Sequence, residues 1–508
     1  MHTAIGGAIF ASALVVSLLS SGCGSAHAVE TGDAASESGE ASLTPSGDAT
    51  FGMGVNPFDD ASGACTIPGP FGCMGVPDAS TCSAELTGVV YDPAGKNPLY
   101  NAVVFVPEGS LRPIAPGTNT CNSCTTVIGE FAAATLTDEN GAFTLRGVPP
   151  GPSVPLVVQV GKWRRETFVP NVAPCLTTQV PAELTRLPRS RLEGDMPQMA
   201  LLTGSCDRLA CFLARVGIDP QEFTGPAGHG RVHVYRGAGP GPDLLGGGAG
   251  PAGDCTGASG PCPLWTTKAA LEAYDFVGLG CECGENNQTK PDMTPMHDWL
   301  YEGGRLIAVH DQQTWFENGP PDFQGVADWI MTDAGGHGSS RADTTFPGGQ
   351  SYAKWLAAVG ALDSTGAIAI DPEDVSGALS AVNPVTTRRW VFAGDVGSGD
   401  GGDAGTTDAG DDGGDTAGAV GPVETFSVDV PVQDGGNSFG HTWCGRAIVT
   451  DVHVGANGAT STAAIPASCT GGDMSPEEKA LEFLFFDFGV CVEDTTLPPI
   501  LGLPPTSQ

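Results

Sequence analysis

Near Pro197 the hydrophobic pattern of this chain changes period, and that change sets how many layers it must build. Upstream, from Leu86 to about Pro170, short alternating runs are separated by turn residues. The runs are Leu86-Thr-Gly-Val-Val-Tyr91, Ala102-Val-Val-Phe-Val106, Ala133-Ala-Thr-Leu-Thr137, Ala142-Phe-Thr-Leu145 and Pro155-Leu-Val-Val-Gln-Val160, with turns at Asp92-Pro-Ala-Gly95 and Asp138-Glu-Asn-Gly141. Period two without a helical interruption predicts a small antiparallel β-sandwich over 85–180.

Downstream, strands and helices alternate. Met199-Ala-Leu-Leu202 reads as a strand, and a helix opens at Ser205 or Cys206, gathers Leu209, Phe212, Leu213 and Val216 on one face, and stops at Gly217. Strands follow at Arg231–Tyr235, Tyr274–Gly280 and Arg305–His310, the last two separated by a helix that Thr294 caps and Pro295 starts. A late strand runs from Gly445 to Val454, and Ser475-Pro-Glu-Glu478 is a capping box. The helix behind that box carries Leu481, Phe483, Leu484, Phe485, Phe486 and Phe488, apolar on nearly all sides, so it must lie between the sheet and another layer. Together these elements predict an α/β domain over 195–495 with a mostly parallel sheet and helices on both faces. Inside it, 395–421 is a Gly/Asp/Thr tract that reads as a disordered insertion, and 496–508 reads as a tail. A length of 508 residues makes a multidomain chain the expectation.

The amino-terminal end bears on location. An apolar run from Ala4 to Leu19 leads into Leu19-Ser-Ser-Gly-Cys23, which reads as an export signal over 1–28 with lipidation at Cys23. Ala26-His-Ala28 offers ordinary cleavage before Val29 and would release a secreted protein. Residues 29–84 read as a flexible tether rich in Gly, Ser, Pro and Asp, carrying Cys65, Cys73 and Cys82. The expected place is the cell envelope, as an outer-membrane lipoprotein held to the membrane through its lipid. Sixteen cysteines in that setting imply disulfide bonds. A net charge of -36, from 58 acidic and 22 basic residues, excludes nucleic acid as a partner and leaves an envelope protein or a glycan.

Candidate chemistry gathers at predicted strand ends. Cys281 and Cys283 are two apart, so in an extended segment they share a side that Glu282 faces away from. One reading is a thiolate nucleophile, Cys281 or Cys283, served by Glu282 or His453, with Glu285 and His310 also in range. The other is a divalent cation, zinc or similar, held by His310, Asp311, Asp451 and His453, because imidazole nitrogen and carboxylate oxygen suit such an ion. Both sets sit where α/β sheets collect ligands. Glu282 and Glu285 are also candidates for acid–base work on a glycan. Cys121-Asn-Ser-Cys124 has redox spacing, but it sits in a loop insertion of the β domain with no following helix to lower a thiol pKa, so it reads as a closed structural disulfide. Lys162-Trp-Arg-Arg165 is a basic cluster fit for docking a neighbouring domain or for touching a polyanion or glycan, and Trp315-Phe316 either lines a carbohydrate cleft or joins the core.

Three resemblances rest on particular stretches. Gly88-Val-Val-Tyr-Asp-Pro-Ala-Gly95, Leu99-Tyr-Asn-Ala-Val-Val104, Thr137-Asp-Glu-Asn-Gly-Ala-Phe-Thr-Leu145 and Gly147-Val-Pro-Pro-Gly-Pro152 make the sandwich resemble the carboxypeptidase regulatory-like family. That resemblance implies a transthyretin-type, non-catalytic accessory module. Gly161-Lys-Trp-Arg-Arg165, Cys281-Glu-Cys-Gly-Glu285, Cys444-Gly-Arg446 and Lys479-Ala-Leu-Glu-Phe-Leu484 make roughly residues 80 to 495 similar to a set of cysteine-rich lipoproteins of myxobacteria, which carries over no activity. The α/β part resembles the class I glutamine-amidotransferase-like superfamily, including its sugar-utilisation branch. That resemblance implies a nucleophilic cysteine on a strand-to-helix turn, at Cys281 or Cys283, and a histidine after a late strand, at His453. His453 is followed by Val454 and Gly455 where catalytic members carry His-x-Glu. The function expected from all this is a non-enzymatic binding or envelope-surface lipoprotein, and the alternative is an exported hydrolase using the cysteine or metal set.

Overall fold

The computed structural model describes residues 82–117, 129–238, 251–332, 339–371, 374–375, 377–394, 422–432, 443–454, 469, 472–489, 492 and 495–499. The export signal with Cys23, the tether up to residue 81, Cys121-Asn-Ser-Cys124, the 395–421 tract and most of the tail lie outside these residues.

The alternating segments upstream form β1 (Ala84–Val89), β2 (Val103–Pro107), β3 (Phe131–Leu136), β4 (Ala142–Val148), β5 (Gly151–Val160), β6 (Trp163–Val172) and β7 (Thr177–Gln179). They pair into a four-stranded antiparallel sheet in the order β3-β2-β5-β6 and a three-stranded sheet in the order β4-β1-β7. The second sheet corrects the all-antiparallel expectation, since β7 runs parallel to β1. Period two is visible in β1, where Ala84, Leu86 and Gly88 face inward and Glu85, Thr87 and Val89 are half-buried. A disulfide between Cys82 and Cys175 ties the start of β1 to the turn before β7.

The rest of the chain builds one large mixed sheet from β8 (Met199–Thr203), β9 (Phe223–Thr224), β10 (Val232–Arg236), β11 (Gly253–Asp254), β12 (Phe276–Leu279), β13 (Arg305–Val309), β14 (Ala327–Thr332), β15 (Ser340–Ala342), β16 (Ala378–Val382), β17 (Thr387–Ala393), β18 (Val423–Val430) and β19 (Gly445–Thr450). Its main path is β11-β10-β8-β12-β13-β19-β18-β16-β14. From β11 to β19 every neighbour is parallel, and from β19 to β14 every neighbour is antiparallel. The sheet is therefore parallel over only part of its width, a correction to the mostly parallel expectation.

Both faces are covered. Met199 and Leu201 enter one hydrophobic cluster and Ala200 and Leu202 the other, as alternation along a strand requires. Helices α1 (Leu209–Val216), α6 (Pro347–Ala358) and α7 (Pro476–Gly489) cover the first face. Helices α2 (Lys268–Leu271), α3 (Thr294–Tyr301), α4 (Thr314–Glu317) and α5 (Pro321–Gln324) cover the second. Gly217 ends α1 in the left-handed conformation, φ 105°, which a residue without Cβ adopts freely. At α3, Thr294 is the first helical residue instead of the cap, and its amide is taken by Asp292.

Helix α7 lies between the small sheets and the large one. Phe485 packs edge-on against Trp163 of β6, Phe212 of α1 and Phe276 of β12, while Phe483 stacks on Tyr100 and touches Tyr352 and Trp355 of α6. The Glu478 carboxylate reaches back to the Ser475 amide at 3.0 Å, one half of the capping box. The basic cluster before this interface is consumed inside the chain: Lys162 pairs with Asp275 at 2.5 Å, Arg164 with Asp195 at 2.6 Å, and Arg165 donates to the Glu183 carbonyl.

Candidate metal centre

Three adjacent parallel strands, β12, β13 and β19, end side by side, and each is followed within four residues by a side chain with a metal-ligating atom. Cys281 comes two residues after β12, His310 directly after β13, and His453 three residues after β19. Their sulfur and one nitrogen from each ring lie within 4.8 Å of one another. The Cys281 sulfur is 3.4 Å from His310 Nδ1, and the two imidazoles meet with centroids 5.2 Å apart.

The backbone around Cys281 is held from several sides. Its amide is directed at Asp207 Oδ2, 3.5 Å away, its carbonyl accepts from the Cys206 amide, and its sulfur receives the Cys283 amide at 3.4 Å. Gly204 makes this approach possible, because a Cβ there would sit 1.8 Å from the Cys281 carbonyl oxygen. His310 adopts φ 49°, a left-handed conformation rare for a residue with a side chain and concentrated at functional sites. His453 is fixed by its amide, which donates to the Asp374 carbonyl at 2.7 Å.

Of the other candidate residues, one stands against this triplet and the rest do not join it. Asp311 flanks it: its Oδ2 accepts from the Cys281 thiol at 3.4 Å and lies 3.6 Å from His310 Nδ1. Asp451 is buried two residues before His453 and is not among the ligating atoms that lie within 4.8 Å of one another. Cys283 is bonded to Cys206, so it has no thiol to act as a nucleophile. Cys281 is the free cysteine among the described residues. Glu282 faces away from Cys281, as the two-residue period requires, and its carboxylate takes the Ala238 amide, the Gln312 amide group and the Lys290 ammonium. That buried pairing makes it a positioning group behind the loop instead of an acid–base partner. The Glu285 carboxylate accepts from the Asn287 side chain instead of joining the Glu282 network. Trp315 and Phe316 are core residues, packed on Trp265 and Phe323, and line no cleft.

Electrostatics set the state of the triplet. Burial pushes the Cys281 thiol up to about 12, and the nearby carboxylates of Asp311 and Asp207 act in the same direction. Burial pulls the His453 imidazole down to about 4, with His310 adding to the fall, and it lowers His310 against the pull of Asp311. At neutral pH the set is one thiol and two neutral imidazoles. That is a poor thiolate nucleophile, since attack needs the ionised sulfur. It is the protonation state from which a cation binds, taking imidazole nitrogen directly and releasing the thiol proton.

Sequence reasoning set His310 beside Cys281 only in the nucleophile reading; it did not place the cysteine among the metal donors, and it missed Asp207. Asp207 follows β8 in Gly204-Ser-Cys-Asp207, a strand-end position like the others, and that position was the available signal.

No protein-family model matches the chain, and no curated protein matches it. Among solved structures, the chain is similar to BcpA, the major pilin subunit of Bacillus cereus, at 11% identity and TM-score 0.14, covering 21% of this chain and 30% of that one. It is also similar to a 9R-lipoxygenase from Cyanothece PCC8801 at 15% identity and TM-score 0.11, covering 20% of this chain and 16% of that one. The chain thus spans less than a third of the length of these structures, and neither likeness carries an argument about fold or activity.

Proposed function

We propose that the chain is an extracytoplasmic metalloprotein that holds one divalent transition-metal ion, of the zinc class, between Cys281, His310 and His453, with hydrolysis as the reaction class this centre serves. The observation that carries the reading is the convergence of the three donor atoms within 4.8 Å. Tetrahedral zinc with S and N bonds of about 2.3 and 2.0–2.1 Å spaces its donors about 3.3–3.6 Å apart, and the sulfur-to-His310 distance of 3.4 Å fits that spacing. A soft sulfur with two imidazoles favours zinc-like ions over calcium or magnesium, which take oxygen. Three protein donors are the number found in catalytic zinc sites, where the fourth position takes water or substrate, whereas structural sites use four. A cation held there supplies Lewis acidity and lowers the pKa of bound water.

This reading is preferred to a binding-only lipoprotein because a buried thiol beside one buried and one half-buried imidazole is not an arrangement that docking a partner requires. Disulfides at Cys82–Cys175, Cys206–Cys283, Cys211–Cys469 and Cys255–Cys262 support placement outside the cytoplasm. The parallel run of β8, β12, β13 and β19, with Cys281 just past its strand, supports the amidotransferase-like reading of the α/β part. Envelope anchoring through Cys23 and a glycan or envelope-protein partner remain part of the proposal.

The test is metal analysis of the purified full chain after zinc loading and gel filtration. One equivalent per chain is expected, falling to below a tenth in Cys281→Ser and His453→Ala. Retention of the full equivalent in both variants, with circular dichroism unchanged, overturns the assignment.

A further inference from the structure

The Asp311 side chain stands against the donor triplet. Its Oδ2 lies 3.4 Å from the Cys281 sulfur and 3.6 Å from His310 Nδ1, and the sulfur lies 3.4 Å from the same nitrogen. Donors around tetrahedral zinc are spaced by about 3.3–3.6 Å, so all three edges suit a single ion. The edge between Cys281 and His310 is therefore shared by two triangles, one closed by His453 and the other by Asp311. The negative charge of Asp311 is felt by all three donors: it raises the pKa of the Cys281 thiol and opposes the fall of both imidazoles.

Which ring nitrogen the carboxylate faces decides between two roles. A carboxylate that supports a metal-bound histidine from behind takes the N–H on the side of the ring away from the ion. Asp311 faces Nδ1, the nitrogen turned toward the sulfur, so it lies on the cation side of the ring. Charge points the same way. A divalent ion held by one thiolate and two neutral imidazoles keeps a net positive charge, which a carboxylate neutralises, and an uncompensated charge is costly to bury. Exposure marks Asp311 as the donor on the open side. Its side chain is 21% exposed and that of His310 22%, while Cys281 and His453 are buried. Carboxylate oxygen also suits harder ions better than the zinc class that sulfur and imidazole select, so it is the donor most readily displaced.

We propose that Asp311 is an exchangeable fourth donor of this centre, closing the shell at rest through Oδ2 and yielding its place to water or substrate. The inference rests on the metal reading above. It makes the three-donor state the working form and the four-donor state the resting one.

The experiment uses the full chain loaded with Co(II) and follows the cobalt d–d bands while acetate, and separately azide, is added. Asp311→Ala should start from bands different from those of the wild type, and acetate should return them toward the wild-type spectrum by taking the vacated position. Acetate should bind at least tenfold more tightly to Asp311→Ala than to the wild type, where the protein's own carboxylate competes. Azide should shift the wild-type bands saturably, by displacing Asp311, and should also bind at least tenfold more tightly to the variant. Identical starting bands in wild type and Asp311→Ala overturn the donor role, as does equal acetate affinity in the two. A wild-type spectrum that azide leaves unchanged, while it shifts that of Asp311→Ala, overturns the exchange. Absence of a cobalt–thiolate band in the wild type is a separate outcome, which overturns the metal reading and this inference with it. Should Asp311→Ala fail to fold, Asp311→Asn is compared with the wild type. Loss of the charge should weaken cobalt binding at least tenfold there, and unchanged affinity counts against the proposal.

Discussion

Lys290 and Glu282 are both buried, 3.3 Å apart, and they hold the Cys281 loop from the side opposite the metal donors. Burial lowers the Lys290 pKa, and Glu282 opposes the fall. Removing one member of such a pair leaves an uncompensated charge and costs about 3–5 kcal/mol, while replacing both by apolar residues costs far less. Lys290→Met is thus expected to lower the urea midpoint strongly, and Lys290→Met combined with Glu282→Leu to recover much of the loss. A double variant as unstable as the single one would contradict this account. At this scale much of the site was legible: Cys281, His310 and His453 stood out because each follows an apolar strand. That the cysteine joins the two histidines as one donor set was not legible, because it depends on β12, β13 and β19 being neighbours in the sheet, although they are far apart in sequence.

The element that decides the packing is α7, whose phenylalanines face two layers at once. Phe485→Ala removes edge contacts to β6, α1 and β12 and should cost about 3–5 kcal/mol, read from denaturant unfolding. The same helix carries Glu482, fully buried next to Asp92 of the β1 turn, and Asn97 donates to Glu482 Oε2 at 2.5 Å. Burial raises the Asp92 carboxyl from 3.8 to about 6 and raises Glu482 well above its ordinary value. A carboxyl raised by folding favours the native state below its unfolded pKa, and that advantage is lost as pH climbs through the folded value. The pair should therefore make the protein less stable as pH rises from about 4 to 6, and Glu482→Gln, which keeps an acceptor for Asn97, should flatten that slope. An unchanged slope in Glu482→Gln would count against it.

The α7 helix was readable because its capping box and aromatic run are local. Strand β6 was not, since Arg164, Arg165, Glu166 and Pro170 break the apolar alternation, and the two arginines find partners only in the folded chain. The antiparallel half of the large sheet was hidden in the same way. Arg389 in β17 is buried on Asp343, and Glu424 in β18 is buried beside the β15 residue Ser340, so these strands look too polar until their partners are known.

Across the whole molecule, distant segments are joined covalently. Cys211 of α1 is bonded to Cys469, 258 residues away, and Cys82 to Cys175, 93 residues away. Loss of a native disulfide closing a long loop typically costs about 2–5 kcal/mol. Reduction by a phosphine should therefore lower the thermal midpoint of the full chain markedly, and an unchanged midpoint after verified reduction would show that these bonds do not carry its stability. Among the described residues no helix is long and apolar enough to cross a membrane. The hydrophobic clusters instead cover both faces of one large sheet, and the metal donors sit together at one end of its parallel half.

X-ray absorption at the zinc edge of the loaded, full-length protein tests the central claim most directly. The account predicts a first shell with one sulfur at about 2.3 Å and two imidazole nitrogens at about 2.0–2.1 Å, losing the sulfur in Cys281→Ser. A shell of oxygens alone, or a spectrum indifferent to Cys281→Ser, would contradict it.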